Sequence, residues 1–230
     1  MRTNPNDGTT TGDFTRLLPA DLKPQVILDV GSYTALQAIE LHRRYPEARI
    51  FSFEANPDNI HLMEQNVVGD LNKYITIIPT AVLDQNGPVT FRRIKKRDTW
   101  VQQGSGSLYN LEPKLYLGDY WAQESITVPG TRLDYWAQQW DIKQVDLIWM
   151  DLQGADYEAL LGAGELLRTV TGVHAEFMDK PMYEGQHLFP DIDALLTTAG
   201  LTLVRKFNLY PTWGDADWVR KIELPTTPLM

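Results

Sequence analysis

ILDVGS, residues Ile27–Ser32, is a short apolar run that closes on an acid, a valine and a single glycine. Taken from Gln25 to Val30 it is almost continuously apolar, the pattern of a strand buried on both faces. A helical pattern follows over Ala35–Arg44, with Leu36, Ile39 and Leu41 inward, stopping before Pro46. A second strand is read at Arg49–Glu54 (RIFSFE). Asn56 then supplies an N-cap and Pro57 a first helical residue, and Ile60, Met63 and Val67 form one apolar stripe.

The alternation continues. A third strand is expected over Tyr74–Val82, and Val145–Leu152 (VDLIWMDL) is the strongest buried-strand signal in the chain. That strand leads through Gly154 into a helix whose core face is Ala159, Leu160, Ala163, Leu166 and Leu167. Gly172–Met178 is the next strand, and Ile192, Leu195, Leu196 and Ala199 mark a last helix ended by Gly200. Leu201–Leu209 and Trp218–Ile222 read as a closing strand pair. Strands alternating with helices predict an α/β fold: a doubly wound, mostly parallel, Rossmann-like sheet of seven strands with helices on both faces.

Residues 1–15 are polar and rich in Gly and Thr, and read as a poorly ordered lead-in to a single domain over 16–230. Between about 84 and 133 the helical rhythm is lost, which predicts a β-rich excursion over the carboxyl edge of the sheet. Within it, Phe91–Arg97 (FRRIKKR) reads as a solvated hairpin turn, with an anchor for an acidic substrate group as the functional alternative. No apolar run approaches the ~18 residues of a membrane span, and no apolar leader is seen, so the expected location is the cytoplasm. The formal net charge of −9 argues against a broad polyanion-binding face, hence against nucleic acid as partner. The absence of cysteine excludes disulfides and thiolate metal sites. Oligomeric state stays open, a homo-oligomer included.

In open α/β sheets ligands bind beyond the carboxyl ends of the strands. Those ends here are Asp29–Ser32, Glu54–Asn56, Thr80–Val82, Asp151–Gly154 and Glu176–Asp179, and four of the five carry an acid. Glu54 falls 23 residues after Gly31, where a carboxylate can accept hydrogen bonds from both ribose hydroxyls of an adenosine. A dinucleotide fold needs G-x-G-x-x-G to close on a pyrophosphate, whereas this loop, Gly31-Ser-Tyr-Thr-Ala-Leu, has one glycine. S-adenosylmethionine has no phosphate and needs one tight turn. An NAD-linked oxidoreductase is therefore the weaker alternative, beside a non-catalytic binding protein on the same fold.

LDVGS, FSFEANPD, TRLDYWAQQW, DLIWMDLQGADYEALLGAG and HAEFMDKPMYEGQHLFPDIDALLTTAG, in that order across roughly Val26–Val204, resemble the FkbM family of methyltransferases. The resemblance implies a class I methyltransferase fold and methyl transfer from S-adenosylmethionine to a hydroxyl oxygen of a small-molecule or glycan acceptor, such as a sugar or natural-product scaffold. It places Asp29 and Gly31 at the methionine end, Glu54 at the ribose and Ala81 at the adenine. Ser32, Ala55, Asn56, Asp151, Leu152 and Gln153 would be the flanking cofactor contacts. Two departures stand out. Many members read D-V-G-A-N-x-G in the first loop, where this chain has Ser32, Tyr33 and Ala35. Many also read D-V-E-G-A-E, where this chain has Asp-Leu-Gln-Gly-Ala-Asp with Gln153.

Methyl transfer to an alcohol requires alignment of acceptor, methyl and sulfur, and a base for the hydroxyl proton. Asp151, at the end of the strongest strand, is the first candidate, with His187 in the loop PMYEGQHLF and Glu176 as further catalytic candidates. His174, inside a strand, reads as a core residue. A metal-assisted variant, in which Asp151, Glu176 and Asp179 would hold Mg²⁺, is permitted by the pattern without being required. The aromatic stretch Trp100–Tyr120, with the turn Gly104–Leu108 (GSGSL), is expected to shape the acceptor pocket.

Overall fold

The computed structural model describes residues 11–94, 103–112 and 122–221. Within the stretch read as a lead-in, the described chain starts with α1 (Thr11–Thr15), whose Phe14 is fully buried, edge-on to Trp149. Residues 1–10 lie outside the described part. β1 (Val26–Val30) is buried at every position, because Val26, Leu28 and Val30 enter one core and Ile27 the other. α2 (Leu36–Arg44) buries Ala38, Ile39 and Leu41, while Leu36, expected inward, is exposed in the first turn.

β2 (Arg49–Phe53) pairs parallel with β1, and α3 (Pro57–Asn66) starts on the expected cap, where the Asn56 side chain accepts from the Asp58 N–H at 3.1 Å. The single strand read over Tyr74–Val82 is two. β3 (Ile75–Ile78) joins the main sheet, and β4 (Ala81–Val82) belongs to another. Pro79 between them has no N–H with which to continue a ladder.

The excursion is a small second sheet. β5 (Gly87–Ile94) and β6 (Gln123–Thr131) form an antiparallel pair, and β4 lies parallel to β6. Ala81, Leu83, Val89, Phe91 and Val128 make its own core. Of the basic run Phe91–Arg97, the first four residues are in β5 and the rest lie outside the described residues. Arg92 donates to the Leu108 carbonyl, and Arg93 pairs with Glu124 at 3.0 Å and Asp58 at 3.3 Å. These two cations bind the protein itself.

α4 (Leu133–Gln139) then returns the chain to β7 (Leu147–Met150), followed by α5 (Asp156–Ala163), β8 (Gly172–Met178), α6 (Phe189–Thr198) and the hairpin β9 (Leu201–Tyr210) and β10 (Trp213–Arg220). The main sheet has seven strands in the order β3-β2-β1-β7-β8-β10-β9, the first five parallel and the hairpin antiparallel. One face is covered by α1, α2 and α3 through Phe14, Leu41 and Met63; the other by α4, α5 and α6 through Leu133, Leu160 and Leu196. The order reverses between β1 and β7, where neighbouring crossovers depart to opposite faces and leave a crevice. Among the described residues no helix is long and apolar enough to cross a membrane.

Candidate active site

The crevice beyond β1 and β7 is an open cleft lined by residues of both strand ends. Its floor is the turn after β1. Gly31 has φ +81°, its N–H donates to the Phe53 carbonyl at 3.0 Å, and a Cβ there would lie 2.1 Å from the Asp151 carbonyl oxygen. Only glycine allows the β1 turn to approach β7 so closely. Asp29 stays beneath this turn, 1% exposed, accepting hydrogen bonds from the hydroxyls of Ser32 and Ser52. Asp29 and Ser32 therefore brace the turn from below, whereas Gly31 itself lines the cleft.

Glu54 faces the cleft from the end of β2. Its two carboxyl oxygens accept the backbone N–H groups of Tyr33 at 2.9 Å and Asn56 at 2.7 Å. Burial pushes its pKa up to about 7, with the hydrogen bonds from Asn56, Tyr33 and the Asn59 side chain opposing that rise. Ala55, Ala81, Leu152 and Asp151 also line the cleft; Asn56 and Gln153 do not, but hold Glu54 and Asp151 respectively. Three further lining residues, Phe53, Asn59 and Ala155, escaped the sequence reading. Asn59 was findable: it lies one helical turn after the Asn56 cap, on the same face of α3.

The small sheet supplies the roof. Phe91, Gly104, Gly106 and Leu108 all line the cleft, so the GSGSL turn lies over it. Gly104 rests against the Tyr33 ring, and Gly106 is held so close to the Phe91 ring that a Cβ would lie 2.5 Å from it. Trp100 and residues 113–121 of the expected aromatic pocket lie outside the described residues.

The β7–β8 end gathers carboxyl groups. Asp151 follows β7, Glu176 lies on β8, and Asp156 opens α5, where it accepts the Leu152 N–H at 3.3 Å. Burial, then the proximity of Asp151, holds Asp156 and Glu176 well above the usual carboxylate range. Gln153 ties the group together: its Nε2 donates to Asp151 Oδ1 at 2.7 Å and Glu176 Oε2 at 3.0 Å, and its Oε1 accepts the Tyr183 hydroxyl at 3.0 Å. Tyr183 and Asp156 are parts of this arrangement that the sequence reading did not single out.

The remaining candidates fall elsewhere. His187 does not line the cleft. Its ring stacks on Tyr157 with centroids 3.8 Å apart, and Nδ1 lies 3.2 Å from Asp191 at the start of α6. Asp179 is drawn away by β9, with Lys206 and Asn208 each donating to it at 2.8 Å. Among the described residues no three His, Asp or Glu side chains are grouped to hold a metal ion, so the set Asp151, Glu176 and Asp179 does not assemble. His174 is a core residue as read, stacked 3.6 Å from Trp149 and bonded to Asp217 at 2.8 Å.

A sheet of this order, with an acid closing β2 and a single-glycine turn beneath the crevice, defines the class I methyltransferase fold. Residues 29–203 match the model of the methyltransferase FkbM domain, and the chain belongs to that family. The 2-O-methyltransferase NoeI of Sinorhizobium fredii is 32% identical over 165 residues, 70% of this chain and 66% of the relative, just under two thirds of its length. The methyltransferase sdnD of Sordaria araneosa is 24% identical over 78% of this chain and 74% of its own. A structure of magnesium protoporphyrin IX methyltransferase from Synechocystis with bound S-adenosylmethionine aligns with a TM-score of 0.47 at 13% identity, over 87% of this chain and 72% of that one.

Proposed function

We propose that the protein transfers a methyl group from S-adenosylmethionine to a hydroxyl oxygen of a sugar or natural-product scaffold. The observation that carries this reading is that Glu54 and the Gly31 turn face one cleft whose far wall is Asp151. A carboxylate at the end of the second strand, facing the cleft, suits a ribose diol, and a one-glycine turn offers no pyrophosphate cradle. The donors and acceptors present therefore fit an adenosyl group: Glu54 for the ribose, Ala55 and Ala81 beside the adenine, Gly31 and Leu152 towards the methionine end. The 2-O-methyltransferase name of the Sinorhizobium relative favours an oxygen acceptor.

When bound, S-adenosylmethionine supplies a sulfonium methyl whose C–S bond breaks as the acceptor oxygen attacks, leaving S-adenosylhomocysteine. The chain's own task is alignment, exclusion of water and removal of one proton. Asp151 takes that proton on its carboxylate. Glu176, held well above the usual carboxylate range by burial and by Asp151, lies beside Asp151 and orients it. The roof turn Gly104–Leu108 covers the reacting groups.

Calorimetry with S-adenosylhomocysteine and with NAD tests the reading, followed by incubation of S-adenosylmethionine with a panel of hydroxylated sugars and mass detection of the methylated product. Saturable NAD binding without S-adenosylhomocysteine binding overturns it in favour of an oxidoreductase. Cofactor binding with no turnover on any hydroxyl acceptor overturns the O-methyl assignment.

A further inference from the structure

We infer that Gln153 is a positioning residue that stands where a bridging cation would otherwise be needed, so that Asp151 is held in place without a metal ion. The inference deepens the proposed function and rests on it for the role of Asp151 as base.

A primary amide has two N–H donors and one acceptor oxygen, and Gln153 uses all three. Its Nε2 lies between two carboxyl groups, 2.7 Å from Asp151 and 3.0 Å from Glu176, while its Oε1 takes the Tyr183 hydroxyl. The acid oxygens take the N–H end of the amide, which leaves its oxygen to accept the Tyr183 hydroxyl. Two acids on neighbouring strands, with Asp156 close by, form a group that repels itself unless something positive lies between them. A divalent cation is one solution; here a tethered N–H pair occupies that position. A cation cannot enter without displacing donors that point at the same oxygens, and Asp179, the third acid that would have completed a ligand set, is engaged by Lys206 and Asn208.

The backbone is arranged to keep the amide there. Gln153 has φ +53°, a left-handed conformation that strains any residue with a side chain, and its carbonyl accepts the Ser107 hydroxyl at 2.8 Å. Gly154 follows with φ +95°, packed so tightly under the Tyr183 ring that a Cβ would lie 2.8 Å from it. The roof turn, through Ser107 on the backbone carbonyl, and the loop after β8, through Tyr183 on the side chain, both converge on this one residue.

The test is a titration of purified protein with MnCl₂, followed by calorimetry and by the paramagnetic signal of free Mn²⁺. Wild type is expected to take up no Mn²⁺ at Asp151. Gln153→Glu, equal in length but with oxygens in place of the donors, is expected to gain a site with a Kd of about 10⁻³ M or tighter, lost again when Asp151→Asn is added. S-adenosylhomocysteine affinity in Gln153→Glu should stay within about threefold of wild type, reporting an intact fold and cofactor side. Gln153→Met, which removes the donors without adding charge, should lower kcat for methyl transfer about 10- to 100-fold at unchanged KM for S-adenosylmethionine, with no rescue by Mn²⁺. Mn²⁺ uptake by wild type that Asp151→Asn abolishes overturns the inference, as does a folded Gln153→Glu that gains no site or a Gln153→Met with full kcat. A wild type that binds no S-adenosylhomocysteine refutes the proposed function instead, and leaves the Mn²⁺ result readable on its own.

Discussion

At the β1–β2 end of the cleft, ligand-facing groups are fixed by main chain, whereas at the β7–β8 end they are fixed by other side chains. Glu54 is held by the N–H groups of Tyr33 and Asn56, and the Gly31 turn by the Phe53 carbonyl. Asp151, which lines the cleft, and Glu176 beside it are held by the Gln153 amide, whose oxygen accepts the Tyr183 hydroxyl while Ser107 holds the backbone carbonyl of the same residue. Main-chain donors cannot be mutated away, so the cofactor end should tolerate substitution around it and fail only where backbone shape or the charge itself changes. The other end should lose chemistry while keeping its fold.

The largest expected effect separates these two behaviours. Asp151→Asn should lower the methyl-transfer rate by about 10² to 10⁴ while leaving S-adenosylhomocysteine affinity within a few-fold, as measured by steady-state kinetics beside calorimetry. A loss of binding as large as the loss of rate would merge the two ends into one. Gly31→Ala should show the reverse. Its left-handed backbone and the 2.1 Å approach to the Asp151 carbonyl predict a destabilisation of about 3 kcal/mol, visible as a lower urea midpoint, together with loss of cofactor binding.

Glu54 offers a pH test. Burial raises its folded pKa to about 7, so below that value the carboxyl is protonated and a poorer acceptor for ribose hydroxyls. S-adenosylhomocysteine affinity should therefore rise with pH and level off above about 7. The same raised pKa means the folded protein holds more protons than the unfolded chain between the ordinary value of 4.5 and about 7, so this group's contribution to stability falls as pH rises through that window. Glu54→Gln should weaken binding about 10- to 100-fold and flatten the pH dependence. An unchanged slope in that variant would assign the titration to another group.

The same contrast explains what could be read in advance. Backbone-built features follow from spacing: one glycine, then an acid at the end of the next strand, then Asn56-Pro57, and each of these stands where the pattern put it. Side-chain-built features depend on distant partners. Asp179 and Glu176 sit on the same strand end in sequence, yet Lys206 and Asn208 on β9 draw one away from the other. Nothing local to Asp179 announces that. His187 likewise has the chemistry of a base, but the Tyr157 ring and Asp191 hold it at the start of α6. The break at Pro79 was visible and still missed, because Ala81 and Val82 continue the apolar run after it.

Tyr33 is the case where the two modes of construction meet, and it carries the smallest prediction. Its backbone is left-handed, φ +55°, and its N–H is one of the two that hold Glu54. Its ring lines the cleft and abuts Gly104 of the roof. Tyr33→Gly keeps the N–H and relieves the strain, at the cost of a looser unfolded chain, for a net gain of up to about 1 kcal/mol. In a chain of this size that is a rise in Tm of about 2–4 °C. Loss of the ring removes one wall of the cleft, so S-adenosylhomocysteine should bind about three- to tenfold more weakly, with Tyr33→Phe close to wild type. A variant that loses stability along with affinity would show that the ring's contact with the roof outweighs the strain of the turn. The cofactor end would then depend on a side chain after all, in the manner of the β7–β8 end.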